Sequence, residues 1–294
     1  MPLVIESKSL ISANALAVTG GSVLVVLGGG LGVALRNIFD SLAVADHADA
    51  LMVLFASGGY LTASLLALRL GRKEIGPLPH EIKDASFKEG LIEMREGFAF
   101  LRTHQDAIRG ILATAVQRGG ITALTLTALL LERNTFNSPD NPEAGLRGFG
   151  IVLAIAGIGI TIGALTAPYG VARFGRHRWI RWSLLASAFG PIILVIWQTE
   201  VALALTGFFV ALCGQNVKVT NDALVQSKID DYYRGRVFAV YDVLVNGAIV
   251  SGGLIAALML PTSGVTPWVP ALVSAIYLLV ALRLLRPKKF YLKL

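Results

Sequence analysis

Charge is scarce in this sequence. Only 15% of its 294 residues are Asp, Glu, Lys or Arg, against 54% hydrophobic, and the mean hydropathy is +0.66. Soluble domains carry about 25% charged residues. So few charges cannot cover a water-exposed globule, and the expected solvent and partner is the lipid bilayer. Cysteine is nearly absent. Cys213 stands alone inside an apolar run, which excludes a disulfide within the chain and suits a small buried residue. Histidine is equally thin: His47, His80, His104 and His177 are scattered with no metal-ligand spacing. No phosphate-cradling loop and no nucleophile with a nearby base can be assembled. Enzyme chemistry, a metal and a bound cofactor are therefore not expected. Acidic residues are the rarer sign, 19 against 26 basic ones, giving a net charge of +7 and a pI near 9.7. The basic residues lie between apolar runs rather than in one basic domain, so nucleic acid is not an expected partner.

Long apolar runs are what the chain does have. A bilayer-spanning helix needs about 20 mainly apolar residues. Eight runs qualify: Leu10–Leu35, Ala50–Leu70, Ile108–Leu131, Gly148–Val171, Trp179–Trp197, Val201–Val219, Val237–Leu260 and Trp268–Leu285. All are too long for strands and none alternates like a barrel strand. The first is too long for the apolar core of a secretory signal, and its flank carries Glu6 and Lys8. No targeting segment is expected.

The loops alternate in charge. The loop after the second run holds eight basic residues from Arg69 to Arg109, and the loops after the fourth and sixth hold Arg173, Arg176, Arg178, Arg181, Lys228, Arg234 and Arg236. The tail adds five more and the start adds Lys8, whereas the other set of loops holds only Arg36, Arg133 and Arg147. Lys and Arg concentrate on the cytoplasmic side, so both termini are expected there. Between residues 71 and 107, Phe87, Leu91, Met94, Phe98 and Leu101 fall at helical spacing. This predicts an amphipathic helix. It either lies on the inner membrane face or packs against neighbouring cytoplasmic loops.

"GGGLGVAL" (Gly28–Leu35) and "SGGLIAAL" (Ser251–Leu258) are identical at five of eight positions, offset by 223 residues. A repeat would make runs one and seven equivalent and the repeating unit six helices. The glycines of "GGGLG" sit inside an apolar run without a strand-to-helix context, so a dinucleotide site is not expected. Gly28 with Gly32, and Gly159 with Gly163, fit a small-xxx-small face for close helix contact. Pro168 and Pro191 are expected to kink their helices.

Four stretches resemble the major facilitator superfamily, in particular its bacterial branch of drug and siderophore exporters. "PLVIESKSLISANAL" (Pro2–Leu16) is similar to the start of that family's fifth helix, and the long basic loop to its central linker. "RFGRHR" (Arg173–Arg178) resembles the turn between helices eight and nine. "YRGRVFAVYDVLVNGAI" (Tyr233–Ile249) resembles the start of helix eleven. Ala172 stands where the stronger form of the basic-turn motif has an aspartate, and no proline follows Gly28 and Gly29. The resemblance implies an all-α polytopic helix bundle of about eight transmembrane helices, matching helices five to twelve of the major facilitator fold, with the first four missing. Residues 1–70 would be the last two helices of the N-terminal bundle. Residues 71–107 would be a cytoplasmic linker with the amphipathic helix, and 108–294 the C-terminal six-helix bundle. The implied function is secondary active efflux of a small molecule by alternating access in the bacterial inner membrane, driven by a proton or other ion gradient. The alternative is a truncated, transport-incompetent fragment of such a transporter.

Charges inside a membrane segment are costly and usually face protein or a water-filled cavity. Arg118 lies about ten residues into its run, preceded by Gln117 and followed on much the same face by Thr122 and Thr125. It either meets an anionic substrate or pairs with a carboxylate such as Asp242. Asp242 and Asn246, four apart, share a helix face. Asp242 sits a turn or two inside the apolar run, where pairing with a basic residue at the inner mouth is expected. Asn216 is a third cavity candidate, and Lys218 with Asp222 a local pair. Arg173, Arg176, Arg178, Arg234 and Arg236 fix topology. The resemblance adds a gating role for them.

Overall fold

The structure, a computed structural model, describes residues 45–69, 87–229 and 231–284, with Gly21, Leu24, Gly28, Leu31, Gly32, Ala34, Leu35, Arg36, Ile38, Phe39 and Ser41. The first apolar run therefore lies mostly outside the described residues, as do Gly29, Gly30 and Val33 of the first copy of the repeat. The chain divides into two compact units, Met1–Ser86 and Phe87–Leu294.

In the first unit the described helix is α1 (Ala45–Ala67). Val53, Leu54, Leu61 and Leu65 on it are all exposed. A helix apolar on nearly every side suits lipid rather than water. Gly28 and Gly32 have nothing within 4 Å of an added Cβ among the described residues, so their small-residue face has no described partner.

The second unit runs α2 (Phe87–Thr103), α3 (Gln105–Leu131), a π-helical turn (Glu132–Phe136), α4 (Pro142–Phe174), α5 (Arg176–Ser187), α6 (Phe189–Ile196), α7 (Glu200–Lys228), α8 (Asp231–Met259), α9 (Trp268–Leu279) and a closing π-helical turn (Val280–Leu284). Helix starts follow local chemistry. The Asn141 side chain accepts from the Ala144 N–H ahead of Pro142, and Thr199 accepts from Ala202 N–H. Each fills a donor that a helix N-terminus leaves orphaned. The basic turn "RFGRHR" hinges on Gly175, whose φ of +78° ends α4 in a region that favours glycine.

Packing is inside-out relative to a soluble bundle. On α4, Ile151, Ile158 and Leu165 point outward, whereas Gly159, Gly163 and Ala167 are buried. A Cβ on Gly159 or Gly163 would strike the carbonyl oxygens of Phe208 and Leu212 on α7. The absence of side chains thus lets α4 and α7 lie backbone to backbone, as the spacing predicted. Gly252, from "SGGLIAAL", does the same against the Gly119 carbonyl, seating α8 on α3.

The fifth apolar run is divided in two. Pro191 supplies no N–H to the Ser187 carbonyl and its ring crowds it, so the helix breaks at Ala188. Ser274 on α9 donates to the Ala188 carbonyl at 2.9 Å, and Thr206 on α7 donates to Gly190 at 2.8 Å. The kink is stitched to its neighbours rather than left open. Pro168, by contrast, lies within an unbroken α4.

Among the described residues, five helices are long and apolar enough to cross a membrane, and Trp268–Arg283 is a shorter apolar helix. α3 is about 40 Å long at 1.5 Å per residue, but Gln117, Arg118 and its threonines make it less apolar than those five. Contacts between Asp106 and His177 at one end, and between Asn134 and Thr262 at the other, show that the basic loops of this unit gather at a single end.

Candidate functional site

The helix that carries most candidate residues is α3. Gln117 is fully buried, and its Nε2 donates to the Val210 carbonyl on α7 at 3.2 Å. Gly214 is bare where the Gln117 amide lies against it. The Tyr277 hydroxyl on α9 donates to the Gln117 carbonyl at 2.8 Å. Gln117 therefore pins α3, α7 and α9 at one level.

Arg118, one residue on, points a different way. It is half-buried, and its guanidinium has no hydrogen-bond or ion-pair partner among the described residues. Neither Asp242 nor another described carboxylate pairs with it. Thr122 and Thr125 follow, with their hydroxyls returned to the carbonyls of Arg118 and Ile121 on their own helix.

Asn216 occupies a different place. It is buried in a polar knot: Trp179 Nε1 donates to its Oδ1 at 3.0 Å, its Nδ2 lies 3.1 Å from Thr166 Oγ1, and it donates to the Leu212 carbonyl at 3.1 Å. The knot joins α4, α5 and α7. The indole is positioned by Phe174, stacked at 5.7 Å, and by Gly170, which leaves room for it. Asp242 and Asn246 lie on an exposed face of α8. The Asn246 amide donates to the Asp242 backbone carbonyl at 2.8 Å, and the Asp242 carboxylate has no partner among the described residues.

The Lys218–Asp222 pair is present at 2.7 Å. It is also tied across helices, since the Tyr241 hydroxyl on α8 donates to the other Asp222 oxygen at 2.8 Å. The amphipathic helix, α2, packs on the first turns of α8 rather than against loops. Gly97 abuts the Arg236 carbonyl and Phe100 stacks on Tyr233 at 4.4 Å. Arg236 reaches Glu96 at 3.1 Å and Glu93 at 3.5 Å. Arg173 lies over the Phe174 ring, Arg178 is exposed, and Arg176 has partners of its own. The Arg234 side chain lies outside what is described.

An apolar cavity of about 70 Å³ opens between α3, α4, α6 and α7, lined by Ile121, Leu124, Thr125, Val152, Leu203, Thr206 and Val210 among others. At the end of α3, Glu132 is buried within the π-helical turn. Asn137 donates to its carboxylate at 3.3 Å, and Gly148 is bare against it. Burial, and then the charge of Glu200, push its carboxyl above the usual range, while the Asn137 hydrogen bond opposes them. Sequence reasoning missed Glu132, Trp179 and Tyr241. Glu132 stands one residue beyond an apolar run and reads as a solvated cap, and an aromatic inside such a run reads as lipid-facing. Among the described residues no group of three or more His, Cys, Asp or Glu could hold a metal ion.

The family model of the Major Facilitator Superfamily matches residues 110–293. This chain belongs to that superfamily. The match covers the helices just described from α3 onward, and it makes the unit a multi-pass membrane protein of major facilitator type. Uncharacterized MFS-type transporters of Mycobacterium bovis and Mycobacterium tuberculosis are each 25% identical over 280 residues, covering 95% of this chain. The chain spans 62% of the length of these relatives. A Na(+), Li(+), K(+)/H(+) antiporter of Planococcus maritimus is 30% identical over 115 residues, 37% of this chain and 27% of its own. No solved structure matches the chain.

Proposed function

We propose that this major facilitator protein is a secondary active transporter that exports a small molecule by alternating access. The observation that carries the reading is Arg118, a cation held part-way along a bilayer-length helix with no described partner. A charge in that position is retained where it meets water or a ligand. The Planococcus relative, named for exchanging an alkali cation for protons, supports coupling to an ion gradient. In this reading the chain supplies eight spans equivalent to helices five to twelve, belongs to the drug and siderophore exporter branch, and sits in a bacterial inner membrane. Its basic end and both termini face the cytoplasm. Arg118 and Gln117 border the pathway from α3, Asn216 from α7, and Asp242 and Asn246 from α8. The arginines of the basic end, Arg236 foremost, hold helix ends together in one state and release them in the other.

The test is transport by inverted membrane vesicles containing the full chain, with and without an imposed proton gradient. Gradient-dependent uptake into those vesicles, abolished by Arg118→Gln at unchanged protein level, is the expected result. Failure to move any solute under either condition overturns the reading and favours a transport-incompetent chain.

A further inference from the structure

We propose that Arg118 and the apolar cavity beside it form one subsite for an amphiphilic monocarboxylate of medium chain length; this names the substrate class of the transporter proposed above and rests on that reading. Ile121 and Thr125, three and seven residues after Arg118, both line the cavity. Those spacings place them on one flank of α3, from about 4.5 to about 10.5 Å along its axis from Arg118. A ligand spanning them has its head at a cation and its tail among hydrocarbon.

Each half of the site selects. The cavity's own hydroxyls are committed, Thr125 to the Ile121 carbonyl and Thr206 to the Gly190 carbonyl. Nothing there is left to greet a polar tail, which would lose its water without replacement. At about 70 Å³ the cavity takes the end of an alkyl chain, not a drug-sized ring system. At the head, a guanidinium fork matches a carboxylate with two parallel hydrogen bonds. Lys218 on α7 is already paired with Asp222, and Asp222 is further held by Tyr241. Arg118, a single positive charge with no partner among the described residues, calls for one negative charge. A cationic amphiphile would meet Arg118 unfavourably, and a neutral one would leave it unpaired.

The probe is radiolabelled decanoate, and the assay is scintillation proximity on the full chain in nanodiscs of zwitterionic lipid, with empty nanodiscs subtracted. Saturable binding is expected, displaced by unlabelled decanoate and octanoate but not by acetate, decanol or decylamine. Arg118→Gln weakens it by about tenfold or more, the loss of a charge-assisted hydrogen-bonded pair, and Arg118→Lys recovers part of this. Ala156→Leu, which fills the cavity from α4, weakens decanoate binding while the Arg118 head contact is intact. No saturable binding, equal displacement by decylamine or decanol, or undiminished binding in Arg118→Gln overturns the proposal. The ligand series and Ala156→Leu decide the matter should Arg118→Gln fail to fold. Displacement by acetate at the same concentration assigns Arg118 to water-soluble acids and also overturns the amphiphile. The assay imposes no gradient. A chain that binds decanoate yet moves no solute sinks only the transport reading, and a chain that transports a solute unaffected by decanoate sinks only this one.

Discussion

Asn216 and Arg118 look alike in the sequence: each is a polar residue inside an apolar run. In the folded chain they are opposites. Asn216 is buried and answered on every side by Trp179, Thr166 and the Leu212 carbonyl. Arg118 is half-open and answered by no described group. A satisfied neutral group between helices is glue. A charge at bilayer depth with no described partner is the one to expect facing water or a ligand. The presence of a polar residue in a span therefore says little; the inventory of its partners separates scaffold from site.

The largest effect should come from breaking the knot. Asn216→Leu strands the Trp179 indole N–H at a junction of three helices, while the Thr166 hydroxyl keeps the Ile162 carbonyl. The expected cost is about 2–3 kcal/mol, since the indole N–H is left without a partner and the contact with Thr166 is lost. Thermal unfolding of the purified chain in detergent reads it directly. Arg118→Gln in the same assay should change stability by no more than about 1 kcal/mol, because no described interaction is lost. Equal melting shifts for the two variants would erase the distinction. Asp222→Ala comes next, at about 1–2 kcal/mol, because it frees Lys218 and orphans the Tyr241 hydroxyl together. Tyr241→Phe isolates the second part, and a null result there would assign the whole cost to the lysine pair.

Legibility follows the same line. Apolar run length marked out the helices of the second unit, because the bilayer permits little else of that length and composition. The small-residue spacing of Gly159 and Gly163 marked α4 for a close helix contact without naming α7 as the partner, and Pro191 marked a kink where the helix in fact breaks. The helix α2 was legible from its wheel. Its partner was not, since nothing in a periodic pattern says that Gly97 will meet the Arg236 backbone. Asp242 and Arg118 read as a possible ion pair because opposite charges in lipid invite pairing, yet the structure joins neither to the other. Helix rotation decides that, and it is set by glycine seams such as Gly119–Gly252 rather than by the charges. Glu132 was invisible because its burial comes from α4 folding back over it, a long-range event.

Glu132 offers a smaller effect with a definite sign. Burial and Glu200 raise its carboxyl above the ordinary value. Between the unfolded and the raised folded value, the native state holds a proton that the unfolded state has released. Stability is therefore full at pH below the unfolded value and falls as pH climbs through the folded one. Glu132→Gln keeps the Asn137 contact without the charge. The variant should melt above the wild type at pH 8 and show a flatter dependence between pH 4 and 8. A wild type whose melting temperature rises over that interval, with the variant unchanged relative to it, would show that Glu132 is comfortably ionised.

The smallest expected effect tests whether the basic end is latch or scaffold. Arg236 is largely buried at 19% exposure, but Glu93 and Glu96 are half in solvent at 58% and 51%. Exposed carboxylates are screened, so Arg236→Ala should cost no more than about 1 kcal/mol in global stability. Its local effect should be larger. α2 is held to α8 by those two ion pairs, by the Phe100–Tyr233 stack, by the fit of Gly97 and by the apolar cluster of Leu101 with Val237 and Val240, so removing the arginine takes away charge and leaves packing. Limited proteolysis should then cut α2 faster in Arg236→Ala than in the parent. Raising salt should speed cleavage of the parent more than that of the variant, because the Arg236 pairs exist to be screened only in the parent. Should salt accelerate both equally, the Arg236 pairs are incidental and α2 is held to α8 by its aromatic, glycine and aliphatic contacts. That outcome would make packing, not charge, what seats α2 on α8.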